Sequence, residues 1–271
     1  MTIQLDTDKM LAEVRDGIGW MTFNNPARHN AMSAEMNRAI PTIIGAFADD
    51  PSVRVVVMRG AGGRAFVSGA DISEFGERRT SVDARKEYDA IAAEAQRALT
   101  KLDKPLIAMI EGYCMGGGVL TAMKADIRIA SDNSQFAVPA AKLGLGYGYG
   151  GVEALVDLVG KAVAAEVLFT ARRYSASEAA GIGLINRSVP AAELETTVVD
   201  LASVIAGNAP MTIRAIKAAI GEVGKDPDRR DLVRVAELTE ACFRSEDYRE
   251  DKRPSSRNAH RTSPTADAPL F

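Results

Sequence analysis

Two glycine-rich turns, each standing directly after an apolar run of strand length, constrain this chain more than any other feature. The first is Ala65-Phe66-Val67-Ser68-Gly69-Ala70-Asp71-Ile72, downstream of the run 53–58. The second is Gly112-Tyr113-Cys114-Met115-Gly116-Gly117-Gly118, downstream of 106–110 and ahead of a helix-compatible stretch, 119–125. Glycine lets the backbone turn sharply at such junctions and leaves N–H groups pointing outward. A single turn of this kind is explained by tight packing alone. Two on separate segments can aim their amides at one oxygen, which is how an oxyanion hole is built.

The rest of the chain alternates strand and helix patterns. Segments 10–15 and 18–23 flank Asp16-Gly17, a two-residue hairpin signal. Ser33 stands as N-cap before Met36, Ile40, Ile43, Ile44 and Phe47 at helical spacing, which predicts a helix to Asp49. A strand is expected over 53–59, a helix over 85–102 that stops before Pro105, and a buried strand over 106–111. Helices dominate afterwards, over 152–159, 162–169, 191–206, 211–223 and 232–243. This order predicts an α/β fold. No repeat with a period of 20 to 50 residues is visible.

Composition narrows the chemistry. At 271 residues the chain is long enough for a substantial core, and its net charge of −3 gives no nucleic-acid footprint. Cys114 and Cys242 are the only cysteines, and His29 and His260 the only histidines. That set provides neither a disulfide framework nor the ligands of a zinc cluster, so no metal is expected. The first nine residues lack an apolar signal core and no apolar run approaches about 18 residues, so a cytoplasmic protein without membrane segments is expected.

The two glycine-rich segments, with Asn25-Pro26-Ala27-Arg28-His29-Asn30-Ala31-Met32-Ser33, Asp126-Ile127-Arg128-Ile129-Ala130 and Ala179-Ala180-Gly181-Ile182-Gly183-Leu184-Ile185-Asn186, resemble the crotonase superfamily, the enoyl-CoA hydratase/isomerase family. The likeness runs over residues 10–250. It implies a spiral of ββα turns over 1–190 and a helical region over 191–250 that makes a homotrimer or a dimer of trimers. The implied substrate is a CoA thioester whose carbonyl oxygen is held by the backbone amides of Ala70 and Gly117. Coenzyme A enters as part of the substrate, and no separate cofactor is implied. Arg28 and His29 fall where the family's first loop passes the CoA phosphates and pantetheine. Ser68, Asp71, Ile72, Leu120 and Ala140 fall at positions bordering the substrate. The last helix of the relatives is replaced here by a polar, proline-containing stretch, so residues 251–271 are expected to form a loose tail.

Adding water across an enoyl thioester needs a base for the water and an acid for the α-carbon. Hydratases of this family supply two glutamates, and the matching positions here are Leu120 and Ala140. Neither side chain can exchange a proton. Two residues beyond Ala140 the chain reads Lys142-Leu143-Gly144-Leu145-Gly146-Tyr147-Gly148-Tyr149-Gly150-Gly151. Tyr147 falls where the methylmalonyl-CoA decarboxylase branch also has a tyrosine, although that branch keeps a glutamate at the position of Leu120. Dienoyl-CoA isomerases have an aspartate at the position of Gly148. A phenol can donate to a carboxylate or protonate an enolate, and decarboxylation needs no initiating base.

Three readings stay open: a lyase, by hydration or by decarboxylation with Tyr147; an enoyl-CoA isomerase; and a non-catalytic acyl-CoA-binding protein with an apolar pocket end. Asp71, Glu74, Glu77, Glu111 and Glu153 are the carboxylates that sequence offers as replacements, with Asp71 also suited to bonding backbone amides in its turn and Glu153 to the start of a helix. Lys142 is either a CoA contact or a surface charge. An α/β-hydrolase is disfavoured because no Gly-x-Ser-x-Gly elbow is present.

Overall fold

The computed structural model describes residues 1–71 and 82–251. Strands β1 (Met10–Arg15) and β2 (Ile18–Phe23) pair antiparallel in the register Met10↔Phe23 to Arg15↔Ile18. Asp16 and Gly17 both take positive φ, 54° and 77°, the requirement of a two-residue turn with the strand twist. Helix α1 (Ala34–Asp49) starts at Ser33, whose hydroxyl accepts the Met36 N–H at 3.3 Å. The five apolar residues at helical spacing are all buried.

From here the chain lays down strands in pairs. β3 (Val55–Gly60) is followed by β4 (Ala65–Val67) and then α2 (Val82–Lys101). β5 (Leu106–Ile110) is followed by β6 (Tyr113–Met115) and α3 (Gly117–Ala122). β7 (Ile127–Ser131) is followed by β8 (Gln135–Ala137) and α4 (Tyr149–Thr170). The first member of each pair joins a six-stranded sheet, β1-β2-β3-β5-β7-β10, and the second a four-stranded sheet, β4-β6-β8-β9. This is a spiral of ββα turns. β9 (Tyr174–Ser175), α5 (Ala176–Gly181) and β10 (Arg187–Val189) complete the two sheets.

Beyond the first hairpin the six-stranded sheet is parallel and buried on both faces. Alternation divides its side chains: Val56, Met58 and Ala108 join the main core with Phe23, Phe66 and Phe136, while Val55, Val57, Ile107 and Ile129 face the other way. That second face is closed by α6 (Leu194–Ala206) through Leu194, Val198 and Ala202. Burying each such Val, Leu, Ile, Met or Phe side chain contributes about 1.5–3 kcal/mol.

The contacts divide the chain after Pro210. α6, which falls within the helical region expected over 191–250, belongs by this packing to the first unit, because without it the second sheet face is uncovered. The second unit begins at Met211 and holds α7 (Pro210–Val223) beyond its first residue, α8 (Leu232–Phe243) and α9 (Glu246–Asp251). Within it Glu222 accepts from Lys225 at 2.6 Å and from the Asp231 N–H at 2.9 Å, tying the end of α7 to the start of α8. The segment expected as a loose tail lies, from residue 252, outside the described residues. Among the described residues no helix is long and apolar enough to cross a membrane.

Two local expectations change. The helices expected over 152–159 and 162–169 form one element, α4, with a break where Gly160 takes φ 77° and ψ 162°. α4 also begins at Tyr149, so Glu153 lies beyond the first turn, exposed, and does not serve as the acidic residue of the helix start.

Candidate active site

The loop after β2 is fastened to the start of β4 and to the turn before it. Asn30, fully buried, accepts the Asn25 N–H through Oδ1 at 2.9 Å and donates through Nδ2 to the carbonyls of Ala61 and Ala65 at 2.9 and 2.7 Å. Those bonds hold His29 and Asn30 at φ 52° and 54°, a conformation that costs most residues energy. The loop then runs parallel to the first glycine-rich turn: Ser68 N–H donates to His29 O at 3.1 Å, Met32 N–H to Gly69 O at 2.8 Å, and Asp71 N–H to Met32 O at 2.9 Å. In a parallel ladder alternate residues point their amides to opposite sides. Gly69 and Asp71 face the loop, so the Ala70 N–H faces away and bonds to no described residue.

The second turn meets it there. Gly116, at φ 51°, donates to Ala137 O at 2.8 Å and swings the chain into α3, whose first residue is Gly117. The first amides of a helix have no partner within it. A Cβ built on Gly118 would fall 2.1 Å from Val67 O, an impossible distance, so only glycine lets α3 approach β4 this closely. A Cβ on Gly117 would lie 3.8 Å from Ala70 N and 3.9 Å from Gly69 C. The two amide-bearing residues are therefore in van der Waals reach of one another.

Among the described residues the carboxylates do not gather around these amides. Asp71 is 8% exposed and accepts from Arg28 Nη1 at 3.2 Å, so the Arg28 guanidinium is directed at a buried charge. Glu111 stands over Gly63, with Oε1 3.5 Å from where a Cβ would sit, and is near enough to Glu195 of α6 to feel its charge. Burial raises its carboxyl above the usual range, and the Glu195 charge raises it further. Ile72, Glu74 and Glu77 lie outside the described residues. Ser68 Oγ donates to Arg28 O at 3.4 Å, and Lys142 is exposed on the turn Pro139–Leu143. Among the described residues no group of His, Cys, Asp and Glu is placed to hold a metal ion.

Leu120, Ala140 and Tyr147 are half-buried and pack against the same core cluster. The Tyr147 ring is turned inward across the start of α4. A Cβ on Gly151 would lie 2.7 Å from its Cε1 and 3.2 Å from its Oη, so Gly151 makes room for the ring. The hydroxyl is buried and has no hydrogen-bond partner among the described residues. Burial, and secondarily the nearby Cys114 thiol, pushes the phenol up to about 12. Tyr147 is thus a neutral donor at ordinary pH. Cys114, fully buried, is itself pushed up by desolvation and is no nucleophile.

Sequence reasoning picked out the amide-bearing turns but missed Asn30 and the Gly118 approach that set them in place. Nothing but an asparagine three residues before the cap serine marked the first, and the last of a glycine triplet the second.

The chain matches the enoyl-CoA hydratase/isomerase family over residues 13–257. It is 35% identical to a short-chain-enoyl-CoA hydratase of Clostridium acetobutylicum over 246 residues, 91% of this chain and 94% of that one. It is 39% identical over 188 residues to a carnitinyl-CoA dehydratase of Proteus mirabilis, covering 69% and 71% of the two chains. The crystal structure of an enoyl-CoA hydratase/isomerase family protein from Hyphomonas neptunium superposes with a TM-score of 0.85 at 34% identity, over 93% of this chain and 98% of that one. Likeness of this extent, in sequence and in fold and running through both amide-bearing turns, means that the chain belongs to the enoyl-CoA hydratase/isomerase family.

Proposed function

We propose that the protein is a lyase-type enzyme that binds an acyl-CoA thioester with its carbonyl oxygen between the N–H groups of Ala70 and Gly117. The observation that carries this reading is the approach of Gly117 to the Ala70 amide, with neither N–H bonded to a described residue. Two preset donors stabilise the negative oxygen of a thioester enolate and need no reorganisation as charge develops. Leu120 and Ala140 remove the two-glutamate route to hydration. Tyr147, neutral and without a partner among the described residues, is the group suited to protonate the enolate or to hold a carboxylate that leaves as CO₂.

Hydration or dehydration is the second reading, favoured by the names of the C. acetobutylicum and P. mirabilis relatives. It needs a proton-exchanging group other than residues 120 and 140. Incubation with a panel of enoyl-CoA and malonyl-type CoA thioesters, followed by mass spectrometry, separates the two. Loss of 44 mass units marks decarboxylation and gain of 18 marks hydration. An unchanged mass leaves isomerisation or binding alone, and chromatographic separation of the enoyl isomers tells a double-bond isomerase from a protein that only binds acyl-CoA. If Gly117→Pro, folded and deprived of one donor, turned over substrate at the parent rate, the assignment of the amides would be wrong.

The same reading includes a homotrimer or a dimer of trimers. Ile216, Ile220 and Val223 on α7, and Leu232 and Val233 on α8, are more than half exposed in the single chain. Apolar surface of that kind calls for a protein partner. Light scattering at micromolar concentration tests it, and a monomer would contradict it.

A further inference from the structure

We infer that Arg128 is a positioning residue for the oxyanion donor at Gly117, acting through the far end of α3, an inference that rests on the acyl-CoA reading above. Segments 126–130 and 179–186 stand out in the sequence, and the candidate site uses neither. In the fold they meet at this arginine. The Arg128 N–H donates to Asn186 Oδ1 at 2.8 Å, and the Arg128 carbonyl accepts the Asn186 N–H at 2.9 Å. The side chain, on a residue only 6% exposed, donates through Nε to Leu184 O at 2.9 Å and through Nη1 to Ala125 O at 2.6 Å.

Ala125 ends a continuous run of turns that begins with α3. Met123 N–H bonds Val119 O, Lys124 N–H bonds Thr121 O and Ala125 N–H bonds Ala122 O, at 2.9 to 3.1 Å. These bonds make 117–125 one stiff piece, with the Gly117 amide at one end and the carbonyl gripped by Arg128 at the other. The close approach of Gly118 to Val67 fixes where this piece stands. A single contact near one end is a pivot, and it leaves the tilt to the far end. There Asp126 bonds both main-chain groups of Leu106, at 2.8 and 2.7 Å, and so ties the piece to β5. Arg128 ties it to the turn between α5 and β10, on the other side of β7 in the sheet.

Arginine suits this task because its planar fork presents donors on separate nitrogens, whereas lysine is a point donor. Burial pulls the guanidinium below the usual arginine value, and the Asp126 carboxylate opposes that pull. The direction of an N–H matters as much as its place, since a hydrogen bond weakens as it bends. A shift of about 2 Å at the far end tilts a lever of about 12 Å by about 10°, which is the edge of what a preorganised site tolerates.

Isotope-edited infrared spectra of bound butyryl-CoA, with ¹³C at the thioester carbonyl, test this on the full chain. The carbonyl stretch falls when amides polarise the oxygen. The parent should show that fall, and Arg128→Lys and Arg128→Met should each show a smaller one. On the thioester turned over in the panel above, kcat should drop about tenfold in both variants with KM near the parental value, because the donor matters most once charge has developed. Lysine keeps the charge but grips one carbonyl, so it should not rescue. Val198→Ala, which removes buried volume from α6, should lower the melting temperature and leave both the carbonyl shift and kcat at parental values. A full carbonyl shift and parental kcat in a folded Arg128 variant would overturn the inference, as would equal losses in Val198→Ala. Failure of both Arg128 variants to fold would overturn it too, since Arg128 would then be required by the fold as a whole. A parent with no carbonyl shift would instead overturn the acyl-CoA reading.

Discussion

Gly118 lies so close to Val67 that a methyl group at position 118 would sit 2.1 Å from the Val67 carbonyl oxygen. That contact sets the start of α3 against the end of β4. Gly118→Ala is expected to cost more than the roughly 1–3 kcal/mol of an overpacked side chain, because the obstacle is backbone. The shift should also part the amides of Ala70 and Gly117. Thermal unfolding and turnover should therefore fall together, and an alanine variant with parental melting temperature and rate would contradict the packing argument.

Tyr147→Phe should separate activity from stability. Among the described residues the buried hydroxyl has no partner, and an unsatisfied group of this kind costs about 1–3 kcal/mol, so its removal should leave the fold as stable or more so. Turnover on the true substrate should drop by about 10² to 10⁴ if the phenol is the proton donor. The phenol's ordinary value is 10.0 and its value in the fold about 12. Its neutral form is favoured by folding, so its contribution is intact below pH 10 and is lost as pH climbs toward 12. The phenylalanine variant should therefore resist alkaline unfolding better than the parent. Parental activity in that variant would remove Tyr147 from the mechanism.

Crotonyl-CoA hydration by the parent should be slow or absent, since Leu120 and Ala140 carry no exchangeable proton. The pair Leu120→Glu with Ala140→Glu should raise it. Spectrophotometric loss of the enoyl absorbance measures both. Efficient hydration by the parent would direct attention to Asp71 and Glu111.

Glu111→Gln should raise the melting temperature at pH 7. Folding raises the Glu111 carboxyl above 4.5, so the unfolded chain ionises first as pH increases and stability is lost through the folded-state value. Glutamine keeps the shape without the charge. The gain should vanish below pH 4.5, where the glutamate is neutral in both states. A lower melting temperature for the glutamine variant at pH 7 would show that the carboxylate makes a favourable contact instead.

Four strands of the six-stranded sheet, β1, β2, β3 and β5, were legible because each is five or six residues of mostly apolar sequence, whereas β7, interrupted by Arg128, and the short β10 were not read as strands. β4, β6 and β8 have three residues each and β9 two, too few to show alternation, and only pairing across the sheet holds them. The spiral repeat escaped sequence inspection for a related reason. α2 has 20 residues and α3 six, so successive turns have no common period. At the candidate site, glycine spacing marked the two turns, and only the family resemblance singled out Ala70 and Gly117 within them. The Arg28–Asp71 pair could not, because it joins residues 43 apart in sequence. The inward turn of Tyr147 depends on a vacancy at Gly151, which a run of glycines does not single out.

The groups proposed to hold the thioester oxygen are main-chain amides set by Asn30, Gly116 and Gly118, whereas the groups that would direct the chemistry are side chains at 120, 140 and 147. Replacing a side chain at those three positions leaves the amides where they are. A chain built this way can exchange one reaction for another by a few substitutions while its capacity to steady an enolate persists, so loss of the two glutamates marks a change of trade more readily than a loss of occupation.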